Sequence, residues 1–285
     1  MNGFAQAGWL AIARDCAASN LPCALVRVAA TRGSAPREAG ASMLVTADAT
    51  VGTIGGGRLE QQAIELARRC MTESAADPVQ QTYALGPELG QCCGGSVDLS
   101  VEVLRNADAA TLDRWASLYH AEQPTAHLYL FGAGHVGLAV ARIAVTLPYC
   151  LHWIDSRGEA GAKAEAACLP ITILPKPALA AESAMPNGLY LVMTHSHALD
   201  LDICERILRR GDFAFLGLIG SATKRAKFVQ RLRDRGIQER QIARLVCPIG
   251  VSGINSKLPA AIAVAAMAQV LTSSEKSAAR GLKIA

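Results

Sequence analysis

The 285-residue chain has no run of five like charges, no C-x-x-C pair and few aromatic residues, 5% in all. Its longest uncharged run, Gln123 to Ala141, is broken by Pro124, His127, Gly132 and His135. A bilayer span needs about 20 mainly apolar residues, so no membrane anchor is expected. The Ala-rich run Leu258 to Ser274 reads instead as a buried helix. Met1 to Ala18 lacks the basic start and apolar stretch of a secretion leader, and the expected location is the cytoplasm. Lys and Arg number 28 against 24 Asp and Glu, a net charge of +4 with no clustered basic face. That excludes a dedicated nucleic-acid binder. Nine cysteines without a leader do not form a disulfide framework. Most are expected to be small buried hydrophobes, with Cys92, Cys93 and Cys247 as exceptions.

Apolar residues make up 51% of the chain and charged ones 18%, enough for a sizeable core. At roughly 150 residues per domain, two domains are expected. The break falls at Glu122-Gln123-Pro124-Thr125, giving domains 1–122 and 123–285. The first reads as mixed α+β. Strands are expected at 24–30, 42–46, 50–54, 82–85 and 97–104, and helices at 58–71 and 108–121. In the last strand Val97, Leu99, Val101 and Val103 alternate with polar residues, the period of a half-buried strand. The second domain alternates strand and helix, the pattern of a Rossmann-like, doubly wound parallel sheet. Strands are expected at 127–131, 151–154, 171–174, 190–194 and 213–219. Helices are expected at 136–145, 201–210, 223–235 and 257–271, with a frayed tail from Ser273. The fold class is therefore α/β.

Seven motifs carry chemistry. Gly132-Ala133-Gly134-His135-Val136-Gly137 follows a strand and opens a helix, the context of dinucleotide-type folds. Asp155 ends the next strand 21 residues after Gly134, where a ribose-binding acid sits in such folds, and Arg157 lies beside it. Arg32 and Arg37 flank the turn Gly33-Ser34-Ala35-Pro36 and suit bidentate phosphate recognition. Gly55, Gly56 and Gly57 precede Arg58 and a helix, an arrangement that lets backbone N–H groups crowd around an oxygen-rich ligand. The plain alternative is a flexible connection. Gly90-Gln91-Cys92-Cys93-Gly94-Gly95 sets two thiols among glycines that favour a thiolate, the alternative being two packed thiols. His195, His197, Asp200 and Asp202 follow a strand end and are either metal-ligand material or a helix cap. Ser221 is an N-cap candidate, and Lys224 and Arg225 in the same first turn suit a phosphate. Cys247-Pro248-Ile249-Gly250 sits at the same sheet edge, with Cys247 ligand-facing or packed.

Taken together, these stretches resemble the xanthine dehydrogenase accessory proteins, the XdhC/CoxI family, over about residues 22 to 272. The matching segments are 30–37, 52–60, 89–95, 132–137, 194–200, 217–225 and 247–250. The resemblance implies a cytoplasmic chaperone and favours an accessory protein over an enzyme without deciding between them. Such a chaperone binds the molybdenum cofactor (molybdopterin), supports its sulfuration by a cysteine desulfurase and inserts it into the molybdenum-binding subunit of apo-xanthine dehydrogenase in purine catabolism. It implies a homodimer, and a cysteine of the Gln-Cys-Cys-Gly-Gly motif that contacts the molybdenum. Cys93, which directly precedes the Gly-Gly pair, is the expected metal contact and Cys92 the alternative. A cleft between the domains is the expected site, with Arg32, Arg37 or Lys224 on the phosphate. Gly55, Gly56, Gly57, Arg58, Gly132, Gly134, His135, Gly137, Asp155, His195, His197 and Ser221 complete the candidate cofactor-binding set. A nucleotide in the Rossmann crevice is a further expectation. Two other readings remain open. One is an NAD(P)-dependent oxidoreductase, which leaves the Gly-Gly-Gly-Arg and Cys-Cys motifs without a task. The other is a metal-dependent hydrolase or transferase built on His195, His197 and Asp200.

Overall fold

The structure, a computed structural model, describes residues 8–73, 77–86, 94–106, 108–122 and 126–281. The chain forms two compact units, 1–123 and 124–285. In the first, the elements are α1 (Trp9–Ala18), β1 (Cys23–Arg32), β2 (Ser42–Val45), β3 (Thr50–Gly52), α2 (Gly57–Thr72), β4 (Val79–Ala84), β5 (Ser96–Leu104) and α3 (Ala109–Glu122). The strands make an antiparallel sheet in the order β3-β2-β1-β5-β4. Alternation along β1 divides the core. Ala24, Val26 and Val28 face α2, which contributes Leu59, Ala63, Leu66 and Ala67. Cys23 and Leu25 face the other way, toward Trp9, Leu10 and Ala13 of α1 and Trp115 of α3. Helix α1 has no counterpart in the expected elements. Its buried face, Trp9, Leu10, Ile12, Ala13, Cys16 and Ala17, shows why it forms.

The second unit holds β6 (His127–Phe131), α4 (His135–Ala144), β7 (Cys150–Asp155), α5 (Glu159–Ala166), β8 (Thr172–Ile173), α6 (Ala178–Glu182), β9 (Leu189–Val192), α7 (His197–Arg210), β10 (Phe215–Leu218), α8 (Ala222–Asp234), α9 (Glu239–Ile242), β11 (Leu245–Val246) and α10 (Pro259–Gly281). The six strands are parallel, in the order β8-β7-β6-β9-β10-β11. This is the doubly wound Rossmann order, whose switch point lies between β6 and β9. One face packs on α4, α5 and α10, the other on α6, α7, α8 and α9. Burial on both faces explains the unbroken apolar runs of β6 and β9. Several boundaries depart from expectation: β4 starts at Val79 instead of 82, β3, β9 and β10 end earlier, and three others differ as follows. Helix α7 starts four residues early, at His197, because the Ser196 hydroxyl caps it by accepting from Leu199 N. The residues after Ser273 continue α10 to Gly281 instead of fraying, and Ser274 Oγ meets the Tyr149 hydroxyl at 2.9 Å. The strand expected at 171–174 shrinks to Thr172–Ile173.

Candidate functional site

Strands β1 and β3 end, and β5 begins, at one end of the first sheet, so three motifs meet there. Gly33 and Gly95 interlock, backbone against backbone. A Cβ on Gly95 would stand 2.4 Å from Ser34 O and 2.5 Å from Arg32 O, and one on Gly33 3.1 Å from Gly95 Cα. Only two glycines permit that approach. The Gly-Gly-Gly loop closes the group from the other side. A Cβ on Gly55 would meet Pro36 Cβ at 2.6 Å and Arg37 Cγ at 3.5 Å. The segments 32–37, 52–58 and 94–95 therefore form one surface. Cys92 and Cys93 lie outside the described residues.

Three of the loop's N–H groups, those of Ile54, Gly55 and Gly56, are taken by the chain itself. Glu60, in the first turn of α2, reaches back, and its Oε2 accepts from Thr53 Oγ1 at 2.5 Å, Ile54 N at 3.1 Å and Gly56 N at 3.1 Å. The oxygen-rich partner expected for this loop is thus supplied by the chain itself at Ile54 and Gly56, while Gly55 N donates to Thr53 Oγ1 at 3.1 Å. An acid in the first turn of the expected helix was the signal that could have revealed it. Arg32 is also engaged. It donates to Asp98 Oδ2 at 2.7 Å, while Thr82 Oγ1 holds Asp98 Oδ1 at 2.7 Å. Arg37 and Arg58 are exposed, with no ion-pair partner among the described residues, and are the cations this surface leaves available.

In the second unit, each glycine of the G-x-G-x-x-G turn has its own reason. Gly132 has φ +112°, and a Cβ there would stand 2.3 Å from Met193 O. A Cβ on Gly137 would stand 2.0 Å from Gly132 O, whose carbonyl accepts from Trp153 Nε1 at 3.0 Å. Gly134 opens to empty space, with nothing within 4 Å of its Cβ position. It is the N-cap of α4, no side chain caps it, and His135 beside it is exposed. Asp155 departs from the expected ribose-reading role. Its Oδ2 accepts from Ala133 N at 2.6 Å and Arg157 Nη2 at 2.9 Å, and its Oδ1 from Arg157 N at 2.9 Å and Nε at 3.0 Å. Burial alone would raise this carboxyl. The Arg157 guanidinium and the two backbone N–H groups outweigh it and hold it at about 2.

The remaining candidates separate. Asp200 is fully buried. Its Oδ1 accepts from Thr194 N at 3.0 Å and Thr194 Oγ1 at 2.7 Å, and its Oδ2 from Lys224 Nζ at 2.7 Å. Lys224 also donates to Ile219 O at 2.8 Å. It therefore ties the β9–α7 loop to the β10–α8 loop, and its charge is spent inside the fold instead of on a phosphate. Ser221 caps α8 through Lys224 N at 3.2 Å. His195 and His197 are exposed while Asp200 points to Lys224, so the proposed metal triad does not converge. Among the described residues no three His, Cys, Asp or Glu side chains gather to hold a metal. Cys247 is buried, Sγ 3.9 Å from Ser221 O, and burial pushes its thiol up. It packs and does not face a ligand.

With this geometry in place, the similarities have a structural meaning. The XdhC Rossmann domain matches residues 128–270, and the XdhC and CoxI family matches residues 16–83. The chain belongs to the XdhC/CoxI family. An uncharacterized Escherichia coli (strain K12) protein, YqeB, is 30% identical over 259 residues, covering 88% of this chain and 43% of that protein. The chain thus spans less than half the length of that curated relative. A crystal structure described as a xanthine dehydrogenase from Bacillus halodurans superimposes with TM-score 0.73 over 95% of this chain and 96% of that one, at 19% identity, and shares its fold. The NAD(P)-binding domain of an exopolyphosphatase-related protein from Archaeoglobus fulgidus covers 53% of this chain and 97% of that one at 15% identity, with TM-score 0.33. The XdhC/CoxI match in the first unit takes in the interlocked Arg32–Arg37 and Gly55–Arg58 segments, and the Rossmann match takes in the glycine turn and the Asp200–Lys224 clasp. No described helix is long and apolar enough to cross a membrane.

Proposed function

We propose that this XdhC/CoxI chain is a molybdenum cofactor chaperone. It holds the cofactor as cargo, supports its sulfuration by a cysteine desulfurase and delivers it to apo-xanthine dehydrogenase. The observation that carries this reading is the surface where Gly33 interlocks with Gly95 and Gly55 with Pro36. That surface presents Arg37 and Arg58, both exposed and unpaired among the described residues, and it includes Gly94 and Gly95, which directly follow the Cys92-Cys93 pair in sequence. The donor set fits the cargo. Guanidiniums suit its phosphate, and a thiolate from Cys93 or Cys92 suits its soft metal. The cargo brings the molybdenum and its sulfur ligands, while the chain supplies charge, a rigid backbone cradle and a thiol. The partners in this reading are the molybdenum-binding subunit, the desulfurase and a second copy of the chain.

The test is retention. Purified protein is mixed with released cofactor, passed through gel filtration and assayed for molybdenum and pterin together. Near-stoichiometric retention of both supports the reading, and retention of neither by folded protein overturns it. The Arg37→Ala/Arg58→Ala double variant should weaken retention by about tenfold or more at low salt, since each removes a charge-assisted contact. Its melting temperature should stay within about 2 °C of the parent, because neither side chain is buried or paired. Cys93→Ala should lower the molybdenum retained. If Cys92→Ala and Cys93→Ala both retain molybdenum fully, the thiolate contact is lost from the reading.

A further inference from the structure

The antiparallel sheet of the first unit has two edges, and they differ. Strand β3 spans only Thr50–Gly52, whereas β4 spans Val79–Ala84, with β5 on one side and no strand on the other among the described residues. In an antiparallel ladder alternate residues turn their N–H and C=O groups away from the neighbour, so about half of β4 offers backbone groups outward. Native proteins blunt such edges with Lys, Pro or a bulge. Val-Gln-Gln-Thr-Tyr-Ala has no charge and no Pro, its register on β5 runs unbroken, and Gln80, Gln81 and Thr82 are exposed. Between this edge and α2 lies a groove of about 700 Å³ walled by Gln62, Glu65, Arg68, Arg69, Gln81 and Tyr83. Gln62, Glu65 and Arg69 recur every three to four residues and form one stripe of α2, beside its buried face. Glu65 and Arg69 are both exposed and stand one turn apart, without an ion pair to each other or to any other described residue. Arg68 is turned aside, its Nε donating to Thr46 O at 3.4 Å.

We propose that a second copy of this chain pairs with β4 edge to edge, antiparallel about a two-fold axis at Gln81, so that the two five-stranded sheets become continuous. The groove's own chemistry selects this occupant, because a two-fold interface must be self-complementary. With the axis normal to the sheet, paired residues share a face. Val79 then lies opposite the partner's Tyr83, and Gln80 opposite the partner's Thr82. Val79 and Tyr83 both lie on the α2 face, half-buried against its core, and an aromatic beside a β-branched side chain is a favourable cross-strand pair. On that face the two α2 helices come alongside each other in opposite directions, so Glu65 of each copy meets Arg69 of the other. Each groove thus brings both charges and neutralises its mate's. A segment of one charge sign would satisfy one of the two and repel the other. The pairing stops at two copies, because the remaining free edge, β3, is three residues long. The inference says where the second copy of the reading above sits, and it uses none of the residues assigned to the cargo.

The experiment is analytical ultracentrifugation of the whole chain, free of cargo, from about 1 to 100 µM. A dimer is expected within that range, and a monomer throughout overturns the proposal. Gln81→Lys sets like charges against each other at the axis and should weaken the dimer about tenfold or more. An unchanged dissociation constant would put the interface elsewhere and overturn the proposal. Glu65→Arg should weaken the dimer about threefold, and Glu65→Arg/Arg69→Glu, which exchanges the signs on both copies, should restore it. A double variant as weak as the single one overturns the charge pairing. Facing Cα atoms of paired strands stand about 4.5–5.5 Å apart, a span that a disulfide bridges. Gln81→Cys should therefore link two copies under mild oxidation that leaves the parent unlinked, and this readout decides the matter if Gln81→Lys fails to fold. A chain that retains cargo but stays a monomer overturns this inference and leaves the cargo reading intact. A dimer of the expected variant pattern that retains no cargo does the reverse.

Discussion

Asp155 shows how one residue type in one position can carry two different chemistries. Its place at the end of β7 was legible from spacing, and the neighbouring Arg157 was visible too. That Arg157 would fold back by side chain and main chain onto both carboxylate oxygens was not, because the turn connecting them has no sequence signature. The group's ordinary value near 3.8 is lowered to about 2 in the fold. A depressed carboxyl stabilises the native state above its unfolded value and loses that contribution as pH falls through the folded one. Asp155→Asn should therefore lower stability by about 2 kcal/mol at pH 7, and the gap to the parent should close between about pH 4 and pH 2. Urea unfolding across that range measures it. A gap independent of pH would mean that the ion pair contributes nothing and only the amide geometry matters. Glu60 teaches the same lesson in the other unit. The triple glycine was read as an open cradle, and only the reach of a side chain three residues on closes it.

At the scale of elements, periodicity was a good guide wherever burial imposed it. Strand β5 alternates as its sequence does, and β6 runs apolar and buried from Leu128 to Phe131 because helices cover both its faces. What periodicity could not show was contact between loops distant in sequence. The clasp from Lys224 to Asp200 joins two helix starts 24 residues apart and fixes the Thr194 backbone as well. Removing one member of a buried pair leaves an uncompensated charge, at a cost of about 3–5 kcal/mol. Lys224→Met alone should therefore be strongly destabilising. Asp200→Asn/Lys224→Met keeps an acceptor for Thr194 and discards both charges, so it should recover about half or more of that loss. A double-mutant cycle by thermal denaturation reads the coupling. Strictly additive losses would show that the two side chains act separately.

Across the whole molecule, the cysteines give the cleanest experiment. Cys16, Cys23, Cys70, Cys204 and Cys247 are buried, Cys150 is half-buried and Cys168 is exposed. Burial raises the Cys16, Cys70 and Cys247 thiols and pushes Cys23 and Cys204 higher still, so these five are poor nucleophiles in the native state. In a Cys92→Ser/Cys93→Ser chain, a thiol reagent should modify Cys168 at once and Cys150 more slowly. The five buried thiols should react only after denaturation. The parent's additional fast reactivity then counts what the vicinal pair exposes. Composition foretold most of this distribution, since an odd set of thiols cannot pair off into a complete disulfide framework. It could not separate Cys247 from the reactive class, because the loop that covers it comes from another strand end.

One consequence follows from the carboxylate that fills the glycine loop. A loop of three glycines would be floppy if left alone, and a visitor would have to organise it on arrival. Here Glu60 has done that already, so the surface beside it is preformed before any cargo appears. Affinity then rests on a few side chains at the margin, which can let go as readily as they take hold. For the carrier role proposed above, whose task is finished only at the hand-over, a stiff seat and a light grip are worth more than a deep embrace.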